Sequence, residues 1–500
     1  MPPAWPRIWP PAGLWRHPDF LKLWAAQAVG AFGSRVGRTA IPVIALLTLD
    51  ARPDQVGLLA ALSIAPGALV GLLLGGRVDR AAKRPLLIGA NLARAGLLFT
   101  VPAAGWLGLL GMPQLYLVAA AVGAATALFQ IADNAYLPAL IGRAHLLEGN
   151  ARLESTEAVA EVGGPSLAGL LIELVTAPFA LLFDVFAYLT AARILATIRA
   201  PEPEPAAEAG PTVLRDVIVG LRAWWTNPLT RPMFLTNANT SFFSGFFAAL
   251  YMIFTLETLG LSPGVVGLLI GVGGVGAFLG ALIARPAIAW LGHGPAIIVL
   301  GSASLLAGLL IPLARGPTWL VLTLLAAHQL LADGFSVAHM IPAVSLWQTL
   351  LPLSVLGRAR AALQALGGVL MPLGALAAGW LGVRWGVRPA VWIGVTGSLL
   401  SIAIMVCSPL RRLQSMPPAA DDVRGAVEAV PGTRRRGCPG RPARAARRSP
   451  AVSPTPPRPW RRARPSSQSS WPGRPRGRVP AFHAIATPPA AVDDRAPPRR

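Results

Sequence analysis

Twelve stretches of about 20 mostly apolar residues follow one another between Phe20 and Pro409, and they constrain this chain more than anything else in it. The runs fall near 20–49, 56–76, 86–108, 113–137, 156–175, 178–198, 233–257, 263–284, 295–314, 318–341, 361–383 and 389–408. Short polar punctuation divides them, such as Asp50-Ala51-Arg52-Pro53-Asp54, Gly111-Met112-Pro113 and Arg315-Gly316-Pro317. A run of that length matches the hydrocarbon thickness of a bilayer as one helix. Lipid offers no partner to a bare peptide group, so helices are the open-ended solution, and they tolerate the internal Gly and Pro. With 54% apolar and 13% charged residues, the chain is not an ordinary soluble globule. The expectation is an all-α membrane protein with twelve transmembrane helices and a disordered C-terminal tail. The first run is too long for the core of a secretory signal, and no small-residue cleavage site follows it.

Charge sets the expected orientation and the domain plan. With the N-terminus placed inside, the inner segments hold 17 Lys and Arg residues against four in the outer loops, Arg52, Arg315, Arg384 and Arg388. Positive residues gather on the cytoplasmic side, so both ends are expected in the cytoplasm of a cell-membrane protein. The longest inner loop opens on Pro201-Glu202-Pro203-Glu204-Pro205, a stiff extended spacer. It continues as Val213–Trp225, which reads as a short amphipathic helix suited to lying on the inner membrane surface. The plan is then an N-terminal cytoplasmic segment 1–19, a six-helix bundle 20–198, a linker 199–232, a second six-helix bundle 233–410 and a tail 411–500. Six plus six about a central loop is the plan of a repeat-built transporter. The tail holds 20 Arg, no Lys and five acids, with few large aliphatic residues, too little to build a core. It is assigned no role, nucleic acid included. Cys407 and Cys438 stand alone and make neither a disulfide framework nor a metal site.

The most specific local pattern is Gly75-Gly76-Arg77-Val78-Asp79-Arg80-Ala81-Ala82-Lys83-Arg84, between the second and third runs. Glycines let two helices approach, and the basic residues hold the turn at the inner surface. This loop resembles the G-x-x-x-D-R-x-x-[RK]-[RK] signature of the major facilitator superfamily. The resemblance implies that Asp79 pairs with charges and a helix end across the interface of the two bundles and stabilises the outward-facing state. Gly75, Arg80, Lys83 and Arg84 would support it. A second block, Gly163-Gly164-Pro165-Ser166-Leu167-Ala168-Gly169, resembles the fifth-helix G-P-x-x-[GA]-G element of that superfamily's exporters, which marks Gly164, Pro165 and Gly169. Ordinary small-residue packing is the other reading of it. Phe183–Leu189, and Leu346–Pro352 followed by Gly357-Arg358-Ala359-Arg360, resemble the drug- and siderophore-exporter branch, of the enterobactin-exporter kind. The resemblance covers about residues 14–410. The fourth run departs from better-known antiporters, because Leu115–Phe129 holds no Arg.

Ionisable groups inside the runs are functional candidates because burying them in lipid is costly. They are Arg35 and Arg38 in the first run, Arg94 in the third, Asp133 in the fourth, Glu154, Glu157 and Glu161 as the fifth begins, Asp184 in the sixth and Asp333 in the tenth. Asp133 and Asp333 occupy equivalent places in the two halves. In a fold of this kind the first and fourth helices of each half line the central cavity. A carboxylic acid there can take up and release a proton as its hydration changes. Asp133, helped by Arg35 or Arg38, is expected to take the proton or a cationic substrate. A structural Asp–Arg pair steadying the bundle is the competing reading. Arg94, Glu157, Glu161 and Asp333 complete the candidate set. The histidines show no metal-ligand spacing, no phosphate-binding loop occurs, and no catalytic constellation is visible. No cofactor and no enzymatic activity are therefore expected. The expected function is export of a small hydrophobic or amphipathic compound by a monomeric secondary transporter exchanging it for protons. A small-solute importer and a non-transporting scaffold or sensor stand as alternatives.

Overall fold

A computed structural model describes residues 13–79, 81–200, 202 and 213–418. The tail from 419 onward, the first twelve residues and Arg80 lie outside the described residues. Six long helices form the first half: α1 (Pro18–Leu47), α2 (Pro53–Asp79), α3 (Lys83–Trp106), α4 (Met112–Ile141), α5 (Leu146–Val175) and α6 (Ala177–Ala196). A short helix, α7 (Val213–Thr226), precedes the second half. That half comprises α8 (Thr230–Ile253, ending in a π-helical turn, Phe254–Thr258), α9 (Pro263–Leu291) and α10 (His293–Ala307) with its continuation α11 (Leu310–Leu313). It ends with α12 (Thr318–Leu350), α13 (Leu353–Trp385), and the pair α14 (Val387–Ser398) and α15 (Leu400–Val406), which together make one span.

Eleven of these segments are long and apolar enough to cross a membrane. The twelfth member of the set is α1, 30 residues long and packed among them, which carries Lys22, Arg35 and Arg38. Several helices outrun their apolar stretch. Helix α5 starts ten residues before the apolar run at 156, because Glu148 and Arg152 pair one turn apart and extend it. Large apolar side chains such as Leu117, Phe186, Leu268, Phe278 and Trp290 point outward, where a bilayer rather than water is the solvent.

Within the first half α1 packs on α5 and α6, α2 on α4, and α3 on α4 and α6. Within the second, α9 and α10 pack on α12, and α8 on α13 and α14. The two most extensive crossings between the halves are α5 with α9 and α2 with α13. Both are glycine seams. A Cβ added at Gly57 would meet the Ala375 carbonyl at 2.6 Å, and one at Gly379 the Pro53 carbonyl at 2.7 Å. A Cβ at Gly267 would meet the Pro165 carbonyl at 2.4 Å, and one at Gly169 the Pro263 carbonyl at 2.5 Å. Only glycine allows backbones to approach this closely. The seams run from the end carrying the α1–α2 and α5–α6 loops to about the middle of the helices.

Helix α7 falls where the amphipathic helix of the linker was expected, and its apolar face packs on protein. Its Trp224 is 2% exposed and sits among Phe234 and Trp347, with ring centroids 6.1 and 5.4 Å away. The indole N–H donates to the Ala359 carbonyl at 3.0 Å, and Arg358 Nε donates to Asp216 Oδ1 at 2.7 Å. One face of α7 is thus fixed to α13. The opposite face carries Arg215, Ile218, Arg222 and Trp225, all exposed.

Candidate functional site

Arg35 of α1 is the centre of the largest intramembrane charge cluster among the described residues. Its Nε donates to Glu161 Oε2 at 2.5 Å and its guanidinium to Glu157 Oε2 at 2.8 Å. Arg38, one turn further on, reaches Glu161 Oε2 at 3.5 Å. Arg35 is largely covered, at 16% side-chain exposure, whereas Glu157 and Glu161 are 47% and 56% exposed. The pairing is local in origin. Residues 35 and 38 share a face of α1, and 157 and 161 share a face of α5. Gly164 brings the two helices together, since a Cβ there would meet Arg35 Cβ at 2.4 Å.

Asp133 of α4 lies beside this cluster, in electrostatic reach of Glu157. Its hydrogen-bond donor is Gln27 Nε2 of α1, at 2.5 Å. The expected help from Arg35 or Arg38 is therefore not what the structure shows, because both guanidinia are taken by the α5 carboxylates. Gln27 was not singled out from sequence. The available signal was its position eight residues before Arg35, two helical turns along the same face. Asp333 of α12 approaches from the other bundle. Its Oδ2 lies against Gly273 of α9, and Glu161 is within its electrostatic reach. The cluster thus draws on both halves: Arg35, Arg38, Glu157, Glu161 and Asp133 from the first, Asp333 from the second. Glu154 lies one turn below Glu157, exposed and outside the cluster.

Arg94 stands apart, inside the first bundle. It is 4% exposed, donates to Asn91 Oδ1 at 2.5 Å, and lies over two rings, Phe129 of α4 at 4.4 Å and Tyr188 of α6 at 4.2 Å. Such stacking is a favourable setting for a desolvated guanidinium. Although α4 has no Arg in Leu115–Phe129, α3 supplies a guanidinium against that helix, in electrostatic reach of Asp133 and Asp184. Asp184, 2% exposed, is tucked against the glycine face of α1 formed by Gly33 and Gly37.

The small-residue element of α5 performs two tasks. Gly164 seats Arg35, while Pro165 and Gly169 meet Gly267 and Gly264 of α9. Ser166 Oγ also donates to the Gly267 carbonyl at 3.3 Å. In the loop signature, α2 ends at Asp79, whose side chain lies outside the described residues, as does Arg80. Gly75 lies in the last turns of α2. Lys83 Nζ donates to the Val78 and Ala81 carbonyls at 2.7 and 2.9 Å, closing the end of α2. Arg84 donates to the Leu195 carbonyl at 3.1 Å and the Ala196 carbonyl at 2.5 Å, closing the end of α6. Glu202, from the proline-rich spacer, accepts from the Lys83 and Arg84 amides at 2.6 and 2.8 Å. Cations at helix C-termini and a carboxylate at an N-terminus each match the helix dipole.

A family model described as Major Facilitator Superfamily matches residues 23–374. No curated protein matches the chain by sequence. Among solved structures, the chain is similar to the nucleoside transporter NupG, at 11% identity and a TM-score of 0.65, covering 78% of this chain and 98% of that one. It is similar to a bacterial homologue of the iron transporter ferroportin in an inward-facing state, at 15% identity and a TM-score of 0.59, covering 79% and 99%. A D-xylose-proton symporter aligns at 14% identity and a TM-score of 0.58, covering 79% and 98%. At such identities the likeness is one of fold.

Proposed function

The chain belongs to the Major Facilitator Superfamily, as a multi-pass membrane transporter and not an enzyme, and we propose that within it the protein is a proton-coupled exporter of small hydrophobic or amphipathic compounds. The observation that carries the reading is the Arg35–Glu157–Glu161 cluster with Asp133 and Asp333 beside it. It sets two half-exposed glutamates against two guanidinia midway along α1 and α5, with two further carboxylates, Asp133 and Asp333, nearby, between two bundles that move as units in this fold. Carboxylates whose surroundings change between bundle and open cavity are the groups that can take up a proton on one side and release it on the other. Asp133 is the proposed proton carrier, with Gln27 and not an arginine as its immediate partner. Asp333 is its counterpart in the second bundle. Arg94, buried against α4, sets the field in which Asp133 works.

Export is favoured by the Gly164-Pro165-Gly169 element, which lies at the α5–α9 seam where the bundles close. With the basic loops in the cytoplasm of a cell membrane, the seams lie at the outer end and the described conformation is the one closed to the outside. Asp79, Arg80 and their loop act in the opposite state.

The test is a pH-gradient assay in inverted vesicles, with a panel of lipophilic cations, macrolides and siderophores, comparing wild type with Asp133→Asn. Collapse of the gradient on adding a substrate, lost in the variant, is the expected result. Full substrate-driven collapse by Asp133→Asn would overturn the assignment.

A further inference from the structure

The seam between α5 and α9 carries one polar contact that neither the small-residue motif nor the charge cluster accounts for. Glu173, two residues from the end of α5, reaches out of the first bundle to the start of α9 in the second. Its Oε1 accepts from the Gly264 amide at 2.9 Å, and the Ser262 hydroxyl lies within hydrogen-bonding reach of the same carboxylate. The approach is steric as well as polar: a Cβ at Gly264 would fall 2.6 Å from the Glu173 carboxylate carbon and oxygens. Helix α9 is 29 residues long and begins at Pro263, so its first amides have no partner within the helix and its dipole presents positive potential there. A carboxylate from the opposite bundle satisfies one of those amides and meets that potential. Glu173 is exposed rather than packed, so the contact serves no core. The other described contacts of this seam set backbone, the Ser166 hydroxyl and the Val162 side chain against glycines of α9, which holds two surfaces together without any charge.

We infer that Glu173 is a positioning residue for alternating access. By holding the N-terminus of α9 it biases the molecule toward the state closed at the end carrying the α5–α6 loop, and the contact breaks each time that end opens. Any closure of this end brings α5 and α9 together, but only a carboxylate at 173 adds a charge-dependent bias to it. The inference rests on the two-state reading of the bundles given above. Its test uses no substrate, so an undiscovered cargo or a failed proton-coupling assignment leaves it standing or falling on its own result.

The experiment measures distances between spin labels on cysteines introduced at Leu109, in the α3–α4 loop, and Arg315, in the α11–α12 loop, with Cys407 and Cys438 replaced by Ser. Both positions are exposed and lie at the end in question, one on each bundle. The full-length protein is compared with Glu173→Ala and Glu173→Gln in detergent and in lipid nanodiscs. Removing the carboxylate is expected to raise the long-distance population severalfold, and Glu173→Gln, which keeps an accepting oxygen but no charge, to fall between the two. A size-exclusion profile and melting temperature unchanged from wild type would show that the fold is intact. Identical distance distributions for wild type and a folded Glu173→Ala would overturn the inference, as would a change seen equally in Glu173→Gln and in a control at exposed Leu174.

Discussion

Arg35 Nε and Glu161 Oε2 meet at 2.5 Å across 126 residues of sequence, and this contact joins α1 to α5 in mid-membrane. The arginine is mostly covered and the glutamate half-exposed, so the pair has one side in protein and one side facing the space between bundles. A buried guanidinium stripped of its carboxylates is costly. A carboxylate stripped of its guanidinium can instead turn toward water.

That asymmetry predicts unequal effects from removing the two sides of the cluster. Arg35→Ala is expected to lower thermal stability less than Glu157→Ala combined with Glu161→Ala, which leaves a covered cation unpaired. A double-mutant cycle on Arg35 and Glu161 should return a coupling of about 1 kcal/mol, held down by the exposure of the glutamate. Additive single effects would show that the contact carries no coupling.

Gly164→Val should separate α1 from α5. The added side chain would fall on Arg35 Cβ, well inside contact distance, and overpacking of this kind costs about 1–3 kcal/mol. A melting curve in detergent checks the stability, and transport should fall with it because Arg35 no longer reaches Glu157 and Glu161.

Trp224→Ala should release α7 from α13. The substitution removes a buried ring and the hydrogen bond to the Ala359 carbonyl, a change of about 3–5 kcal/mol when the site cannot collapse. Limited trypsin digestion would read the outcome as faster cleavage at Arg215 and Arg222, with the twelve long helices still protected.

Glu202→Ala should loosen the start of α3. Two amides, those of Lys83 and Arg84, lose their acceptor, and loss of an N-terminal cap costs about 1 kcal/mol. Hydrogen exchange at the Lys83, Arg84 and Leu86 amides should accelerate while exchange in the middle of α3 stays as in wild type.

Asp333→Asn tests whether the second bundle contributes to coupling. Asp333 sits against Gly273 with Glu161 as its charged neighbour. If it shares the proton load, its loss should reduce substrate-driven gradient collapse without lowering the melting temperature. Unchanged flux would confine coupling to the first bundle.

The spans were legible because hydropathy reports the solvent directly. A run such as Val265–Ala284 has no alternative to lipid or a core. The charge candidates were legible for the converse reason, since Arg35 or Asp133 in such a run is conspicuous. Partner choice was not legible. Helix periodicity places Arg35 and Arg38 on one face and Glu157 and Glu161 on another, but which faces meet depends on how α1 crosses α5, and Gly164 decides that. The Asp133 hydrogen-bond partner, Gln27, carries no charge to draw attention in the sequence. For α7, amphipathicity fixes only that one face is apolar, not what covers it. Docking of Trp224 beside Trp347 and the Ala359 carbonyl comes from packing more than a hundred residues away. Helix-end contacts such as Arg84 with the Ala196 carbonyl involve backbone atoms, to which side-chain patterns are blind.

The anchoring of α7 to α13 has a mechanical consequence. A connection that looks more than thirty residues long, from Arg199 to Arg231, is fastened at both sides: Glu202 on the start of α3, and Asp216 and Trp224 on α13. What is left between the fastenings and the start of α7 is the ten-residue stretch 203–212. Fully drawn out it spans at most about 35 Å. The two halves therefore share a short leash at their basic end, and its length caps how far they can swing apart there, whatever cargo passes between them.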